Sequence, residues 1–282
     1  MAITTTTDLN SLYNTIHEDA LFVARESNIM VGLVRTFSAT GYMQRKGAIR
    51  PQVTAVEKPE GVDFQNPTTF GRTEKYTLTP TVKMAQALLT DEDLQTDPSN
   101  AAADCAFELG SSLATKIDVD LVTLFASFTS GKGSAGNALS IAKCAAGVSL
   151  LRTNKTPNPL YFVLHPYGWH DVWTELGQPT ANQAFLGDIA NQALRSFFVG
   201  AFLSATWFTS ANIDIDDNAD AVGGVFSPQA LGFDEREAPV LEPERDASRK
   251  ATEMNMSAGY AVGVLRDEYG CKLTHDATEP TG

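Results

Sequence analysis

The sequence predicts an α+β fold in which one long helix is combined with many short β-strands. Three observations support this prediction. A stripe of apolar residues at helical spacing runs through residues 97–128, β-prone segments punctuated by glycine and proline lie on both sides of it, and neither a regular βαβ unit nor an internal repeat recurs. A length of 282 residues, 43% of them hydrophobic, allows a substantial core.

The first 45 residues are expected to form a polar arm that ends in a short amphipathic segment. Its apolar residues at helical spacing are Leu12, Ile16, Ala20 and Val23. The opening stretch MAITTTTDLNSLYN lacks the basic start and apolar middle of a signal peptide. Because no apolar run approaches the roughly 20 residues of a membrane helix, we expect synthesis inside a cell and no membrane partner.

Residues 46–82 are expected to form an extended two-stranded hairpin. The apolar residues that alternate along its two flanks are Ile49, Val53, Val56, Tyr76, Leu78 and Val82. An isolated hairpin is marginally stable in water, so this one should find its apolar cover on another surface. Six basic and four acidic residues between Arg45 and Lys75 give +2 in a chain whose net charge is −13. A basic projection on an acidic body suits docking onto a second copy of the chain.

The long helix is predicted to begin at Asp97–Pro98, a favourable cap and first-turn pair. Its apolar stripe comprises Ala102, Cys105, Leu109, Leu113, Ile117, Leu121, Leu124 and Phe128. The stripe corresponds to a helix of up to about 30 residues, or about 45 Å. Beyond Asn137 we expect a second helix, an apolar strand at Leu160–Leu164, a short helix, a buried strand before Ser210, and short glycine-rich strands to the end.

The candidate catalytic and metal-binding motifs lack their supporting residues. His165 and His170 stand five residues apart across a proline and a glycine, unlike the i, i+4 pair of a zinc protease. The segment IDIDDNAD resembles the start of a calcium loop, but Ala219 replaces the glycine and Val225 the closing glutamate. We therefore predict no enzyme, no metal and no cofactor. A hydrolase using His165 and His170 is the alternative from another functional class.

The three cysteines, Cys105, Cys144 and Cys271, have no metal-ligand spacing, and their odd number argues against a disulfide framework. We expect all three to be buried small hydrophobic residues. The acidic composition, with a pI near 4.7, argues against a surface that grips nucleic acid.

The order of these elements resembles that of the major capsid proteins of tailed bacteriophages, whose Hong Kong 97-type fold encapsulins share. The likeness covers nearly the whole chain and is strongest from Tyr76 to Phe125 and in the run GFDEREAPVLEPERDASRKATEMNMSAGYAVGVLRDEYGCKL. The resemblance implies five segments: an N-terminal arm (1–45), an E-loop hairpin (46–82), a peripheral (P) domain with a spine helix (83–150), an axial (A) domain (151–230), and C-terminal strands that return to the P domain (231–282).

The implied function is that of a head protein that assembles as hexamers and pentamers into an icosahedral shell around double-stranded DNA. Such a protein is assembled in the host cytoplasm and located in the virion capsid, and its E-loop lies across the P domain of a neighbouring subunit. Portal, a separate scaffolding protein and a decoration protein are the further partners implied. A fused scaffolding segment is not expected, because the E-loop begins near residue 46. An encapsulin-like compartment that holds a cargo enzyme is the close alternative, and the host and triangulation number stay open.

The resemblance also implies three groups of functional residues. The E-loop contact residues are Arg50, Val53, Val56, Lys58, Phe64, Phe70, Arg72 and Tyr76. The spine-helix residues are Leu109, Leu113, Ile117, Leu121 and Leu124. The acidic loop near a capsomer centre comprises Asp214, Asp216, Asp217 and Asp220. No lysine of the E-loop is marked as activated, so no covalent crosslink is expected. Because each phosphate contact strengthens DNA binding, we expect a neutral to negative lumenal face and no tight DNA contact.

Overall fold

The computed structural model describes residues 29–38, 43–50, 53–58, 60–61, 63, 69–96, 98–177 and 200–280. The predicted arm up to residue 28, and with it the helical spacing from Leu12 to Val23, lies outside these ranges, as do Phe64 and Asp97. Within the described part of the chain, no helix is long and apolar enough to cross a membrane.

The described chain contains four α-helices and twelve strands. The helices are α1 (Asp91–Thr96), α2 (Pro98–Thr123), α3 (Ile141–Thr153) and α4 (Pro166–Gly177), with short 3-10 turns at Met30–Gly32, Leu124–Ser127 and Asp267–Tyr269. The strands are β1 (Arg35–Ser38), β2 (Arg45–Ile49), β3 (Thr73–Leu78), β4 (Thr81–Thr90), β5 (Gly131–Gly133), β6 (Tyr161–Leu164), β7 (Ala201–Phe202), β8 (Ala205–Thr209), β9 (Asp220–Phe226), β10 (Leu231–Asp246), β11 (Ala251–Val264) and β12 (Gly270–Asp276).

The long helix α2 packs on a four-stranded sheet of order β1-β10-β11-β4. Strand residues alternate between the two faces of a sheet, and the β11 residues that face the helix are Met254, Met256, Ala258 and Tyr260, all of them buried. The helix contributes apolar side chains of its predicted stripe to the same core, namely Cys105, Leu109, Leu113, Ile117 and Leu121. This cluster is the larger of the two main cores of the described chain, and α2 lies along it.

The second core lies between helices α3 and α4 and a six-stranded sheet of order β5-β12-β9-β6-β8-β7. Its centre is aromatic: the Phe162 and Trp207 rings stack with their centroids 4.0 Å apart, and Trp169 of α4 lies against Trp207. The sheet combines β5, from before residue 150, with β12, from the last part of the chain. The predicted segments 83–150 and 231–282 therefore contribute to both sheets, and their limits stay a prediction.

The projecting hairpin differs in extent from the sequence prediction. Strands β2 and β3 pair only from Arg45↔Leu78 to Ile49↔Thr73, with a bulge between Gly47 and Ala48. Val53 and Val56 lie beyond the paired part, and Val82 belongs to β4 in the four-stranded sheet. Prolines explain both differences, since Pro51 follows β2 and Pro80 separates β3 from β4, and proline cannot donate a ladder hydrogen bond.

The segment from Gly223 to Asp246 was expected to form two short strands around a turn; it does form two strands, β9 and β10, with a turn between them, but β10 is not short. Strand β10 is 16 residues long and pairs with the 14-residue β11. Its charged and proline-containing sequence is accommodated because one face is exposed to solvent, and because register shifts between Glu235 and Val240 absorb the irregularity. The predicted buried strand before Ser210 is divided into β7 and β8 by a tight turn at Leu203–Ser204, both with positive φ.

Candidate subunit-contact surfaces

The base of the β2–β3 hairpin is fixed to its own chain. The Arg45 Nε donates to Asp234 Oδ2 on β10 at 2.9 Å, and Lys75 Nζ donates to Glu268 Oε1 at 3.0 Å. Leu78 is buried in a small cluster with Ala261 and Leu265. Because the base is anchored by two ion pairs and one apolar contact, the hairpin leaves the body of the protein in a defined direction.

Tyr76, predicted as a contact residue, is used within the chain itself. Its ring is partly buried and packs against the same small cluster. It covers Gly47, the cross-strand partner, where an added Cβ would lie only 2.0 Å from the Tyr76 ring. Any larger residue at position 47 would clash with the ring, so glycine is required there. Tyr76 therefore stabilises the hairpin base.

Beyond the base, the hairpin exposes apolar and basic side chains together. Val53, Val56 and Phe70 are 59%, 66% and 56% exposed. The Arg50 guanidinium lies 5.0 Å from the Phe70 ring centroid, a favourable cation–π distance. Lys58 and Arg72 are also exposed. Six of the eight predicted contact residues are thus exposed beyond the hairpin base, three of them apolar and three basic; Phe64 is outside the described residues.

The outward face of the four-stranded sheet has a complementary character. Its edge strand β4 presents Val82, Met84 and Leu88, all exposed. The three residues pair with Gly259, Ser257 and Glu253 of the central strand β11, which in turn pair with β10. Side chains of all three strands therefore share this face. The acidic residues of that face are Glu237, Glu242, Glu244 and Glu253. We call this combination of an apolar row on β4 and an acidic row on β10 and β11 the outer sheet face.

The outer sheet face retains free negative charge. Glu253 pairs with Arg249 at 3.2 Å. In the described part of the chain, no ion pair includes Glu237, Glu242 or Glu244. An apolar row bordered by unneutralised carboxylates favours a partner that brings both apolar and cationic groups.

The predicted spine-helix residues face the first core. Leu109, Leu113, Ile117 and Leu121 are buried on α2, whereas Leu124 follows the helix in a 3-10 turn and is partly buried. The helix also carries Phe107 on its opposite side, where the side chain is exposed.

Asp118 is a functional candidate that the sequence reasoning missed. It lies on the buried side of α2 and is 1% exposed. Its Oδ1 accepts from the Met30 backbone N–H at 3.0 Å, and its Oδ2 accepts from Asn212 Nδ2 at 2.9 Å and Ser210 Oγ at 3.3 Å. One carboxylate on helix α2 therefore binds both the backbone at Met30 and the segment that follows β8. Its position one residue after Ile117 and three before Leu121, inside the apolar stripe, was the available signal.

The predicted acidic loop follows β8 and is internally ordered. Asp216 Oδ1 accepts from the backbone N–H groups of Asn218 and Asp220, both at 2.9 Å, while Ala219 adopts a positive φ of 61°. Asp220 is buried and accepts from Gly136 N–H at 2.6 Å; Asp214, Asp216 and Asp217 are exposed. A cleft of about 250 Å³ beside the loop is floored by apolar residues of α2 and β9. Among the described residues, no group of three or more potential ligands is placed to hold a metal ion.

The two histidines of the hydrolase hypothesis have different environments. His165 is buried at the start of α4, where its Nδ1 accepts from the Tyr167 backbone N–H at 3.2 Å. His170 is partly exposed and lies near Trp173. Burial lowers the pKa of His165, and the neighbouring His275 lowers it further.

The cysteines are all buried and free, as expected from the sequence. Burial raises the pKa of all three thiols, that of Cys144 to about 12. A thiol in this environment is a poor nucleophile and a poor metal ligand.

The whole fold is similar to those of solved phage capsids. The capsid of cyanophage P-SCSP1u shares 14% identity, with 89% of each chain covered and a TM-score of 0.69. The head of Helicobacter pylori bacteriophage KHP40 shares 10% identity, covering 86% of this chain and 88% of that one, with a TM-score of 0.66. A virus-like particle from Pyrococcus furiosus shares 10% identity, covering 92% and 98%, with a TM-score of 0.59.

A long helix packed on a sheet of two long strands, a projecting hairpin and a second mixed sheet together define a Hong Kong 97-type capsid fold. The match extends to the sequence: the phage capsid protein family matches residues 85–273, about two thirds of the chain. The chain belongs to this phage capsid protein family. It is therefore a structural protein of the phage head and not an enzyme, and the hydrolase hypothesis is rejected. No protein of curated function matches the sequence.

Proposed function

We propose that this protein is the major head protein of a tailed phage, assembling as hexamers and pentamers into an icosahedral shell that encloses double-stranded DNA. The observation that carries the proposal is the hairpin surface of Val53, Val56 and Phe70. These side chains are more than half exposed in the single chain, although the hairpin base is anchored. Exposed apolar groups clustered on a projecting element indicate a protein-binding surface.

The E-loop of one subunit is proposed to cover the outer sheet face of the next. The partner of an apolar and cationic hairpin should be apolar and anionic. The outer sheet face offers Met84 and Leu88 on β4, and Glu242 and Glu244 on β10 across the intervening strand β11. Both surfaces belong to the same chain, so each subunit binds one neighbour through its hairpin and another through its outer sheet face. Such a head-to-tail contact generates a ring if its rotation closes.

We assign the segments of the shell as follows. The arm is residues 1–45, the E-loop 46–82, the P domain 83–150 with the spine helix α2, the A domain 151–230, and the C-terminal strands 231–282. The acidic loop of Asp214, Asp216 and Asp217 is placed at a capsomer centre. Its exposed carboxylates fit a surface that must repel packaged DNA, because phosphate contacts are attractive only to cationic groups.

Portal, a separate scaffolding protein and a decoration protein are proposed as the remaining partners, with assembly in the host cytoplasm. A compartment that holds a cargo enzyme is the second candidate. The family match favours the phage head over this second candidate. The two differ in whether the chain closes into a shell around DNA or around a protein cargo.

Expression of the chain alone, followed by size-exclusion chromatography and negative-stain electron microscopy, tests the proposed function. The expected result is capsomers or closed particles. A chain that stays monomeric at high concentration, with and without a co-expressed scaffold, contradicts the proposal.

The docking surface is tested by E242K, with E279K as its matched control. Glu279 is an exposed acidic residue outside both sheets. E242K should reduce assembly and leave the melting temperature of the free chain unchanged, because the substitution is on the surface, and E279K should assemble as wild type does. Equal assembly of E242K and wild type contradicts the assignment of the outer sheet face, but not the shell itself.

A further inference from the structure

Helix α4 begins with an N-cap made by a histidine. His165 precedes Pro166, the first residue of the helix, and its carbonyl accepts from the Trp169 N–H at 3.1 Å as the first helical hydrogen bond. Its ring Nδ1 accepts from the Tyr167 N–H at 3.2 Å. These are the two bonds that define an N-cap residue, and proline commonly occupies the next position. A histidine therefore has the role that serine, threonine, aspartate or asparagine usually has.

A histidine cap differs from those residues in one chemical respect. The capping Nδ1 must hold a lone pair, so the ring is neutral with its proton on Nε2. A protonated imidazole has no acceptor atom. It would also place a positive charge at the N-terminus of a helix, where the backbone N–H groups already give a positive end.

A second buried histidine lies against the same turn. His275 of β12 is fully buried, and its Nδ1 lies 3.1 Å from the Leu273 carbonyl oxygen, which requires the proton on Nδ1. Its Nε2 is buried and has no hydrogen-bond partner among the described residues. Gly168, in the first turn of α4, makes room for this ring, because an added Cβ would lie 2.2 Å from Nε2. A proton added at Nε2 would thus meet the helix without an acceptor.

We propose that the first turn of α4 is an acid-sensitive joint, closed by the neutral His165 cap and released when this histidine is protonated. The groups that face the histidine pair are Tyr167 and Asp171 on α4, Asp220 on β9 and Asp276 on β12. The three carboxylates favour protonation of His275, but burial is the larger effect and lowers the pKa of both histidines. The inference concerns the single chain and does not depend on the proposed shell contacts.

The direction of the pH effect follows from linkage. A histidine whose pKa is lower in the closed turn than in the open one favours closure at neutral pH, and this contribution is lost as the pH falls below the ordinary value of about 6.5. The open fraction of the turn should rise by up to about tenfold for each pH unit below that value, until the pKa of the closed state is reached. Near pH 5 the joint would loosen the contact of α4 with the six-stranded sheet.

Hydrogen exchange of the full-length chain at pH 7.5 and 5.5, corrected for the intrinsic exchange rate, tests the proposal on the peptide that contains Tyr167 to Trp169. In wild type, the protection factor of this peptide should be up to about tenfold lower at pH 5.5 than at pH 7.5. H165N should lose clearly less protection at pH 5.5 than wild type, since asparagine offers a capping oxygen that does not titrate, while His275 is unchanged. H165A should be poorly protected already at pH 7.5.

H170N is the matched control, because His170 is a partly exposed histidine on the same helix that does not cap it. H170N should lose protection in acid as wild type does. Equal acid loss in H165N and wild type, or full protection of wild type at pH 5.5, would overturn the proposal. Both results are read on the chain before assembly, so a failure here is distinct from a failure to form shells.

Discussion

Replacing the exposed apolar residues of the hairpin should impair assembly and leave the folding of the free chain unchanged. The triple variant V53S/V56S/F70S removes apolar side chains that belong to none of the buried clusters formed by the described residues. Exposed substitutions of this kind change the free energy of unfolding by about 0.5 kcal/mol or less. The free chain should therefore keep its melting temperature within about 2 °C per substitution.

The effect on assembly should be larger. Full burial of a valine or phenylalanine side chain contributes about 1.5–3 kcal/mol. Since the three side chains are 56–66% exposed before contact, their remaining burial in a neighbour is worth about 3–5 kcal/mol per hairpin before ordering costs. Every subunit of a ring repeats this contact, so the loss accumulates around a closed shell.

Sedimentation velocity, combined with the melting temperature of the dissociated chain, measures both quantities. The triple variant should melt as wild type does and sediment as subunits at concentrations where wild type forms particles. The conservative variant V53I/V56I/F70Y should still assemble, because it keeps the apolar surface. Normal particles from the triple variant would refute the reasoning, and so would a large loss of stability in its free chain.

Three further predictions concern the body of the protein. D118A should lower the free energy of unfolding by about 3–5 kcal/mol, measured by urea denaturation, because three donors lose a charged acceptor in a buried site; a change below about 1 kcal/mol would contradict this role. L121A should lower the free energy of unfolding by about 2–5 kcal/mol in the same measurement, as expected for a fully buried leucine. L124A, at a partly buried position, should lower it less. Equal losses for the two variants would argue against the assigned helix face. The three thiols should react with an aromatic disulfide reagent at neutral pH only after unfolding, since burial raises the pKa of each; rapid reaction of the native chain would contradict their burial.

The features that were predictable from sequence are those with a local signature. The apolar stripe from Leu109 to Leu121 predicted α2, because a helix of 3.6 residues per turn must place these positions on one side. The alternation before Pro51 and after Gly71 predicted a hairpin for the same kind of reason. The hairpin charge, +2 on an acidic chain, indicates a partner surface, and this stays a prediction.

The remaining features depend on pairing between distant segments. Val82 was attributed to the hairpin, but it belongs to a strand, together with Met84 and Leu88, that pairs with β11, about 170 residues later. The β12 strand joins β5, which lies about 140 residues earlier, and β9, which lies about 50 residues earlier. No local pattern distinguishes such partners, because an alternating segment fits any sheet that offers a free edge.

The roles of residues that depend on burial also could not be identified from local sequence patterns. The place of Asp118 inside the apolar stripe indicates burial at most, and only the folded chain shows that its carboxylate receives three hydrogen bonds. His165 was considered as a possible metal ligand, whereas the fold uses it to cap α4. In both cases the role is defined by backbone N–H groups that other segments bring to the side chain.

The most direct test of the account is an electron cryomicroscopy reconstruction of particles assembled from this chain. It should show residues 50–72 of each subunit lying on the outer sheet face of an adjacent subunit, with Phe70 near Met84 or Leu88. A shell in which that hairpin rests on its own subunit, or in which the row on β4 stays open to solvent, would contradict it.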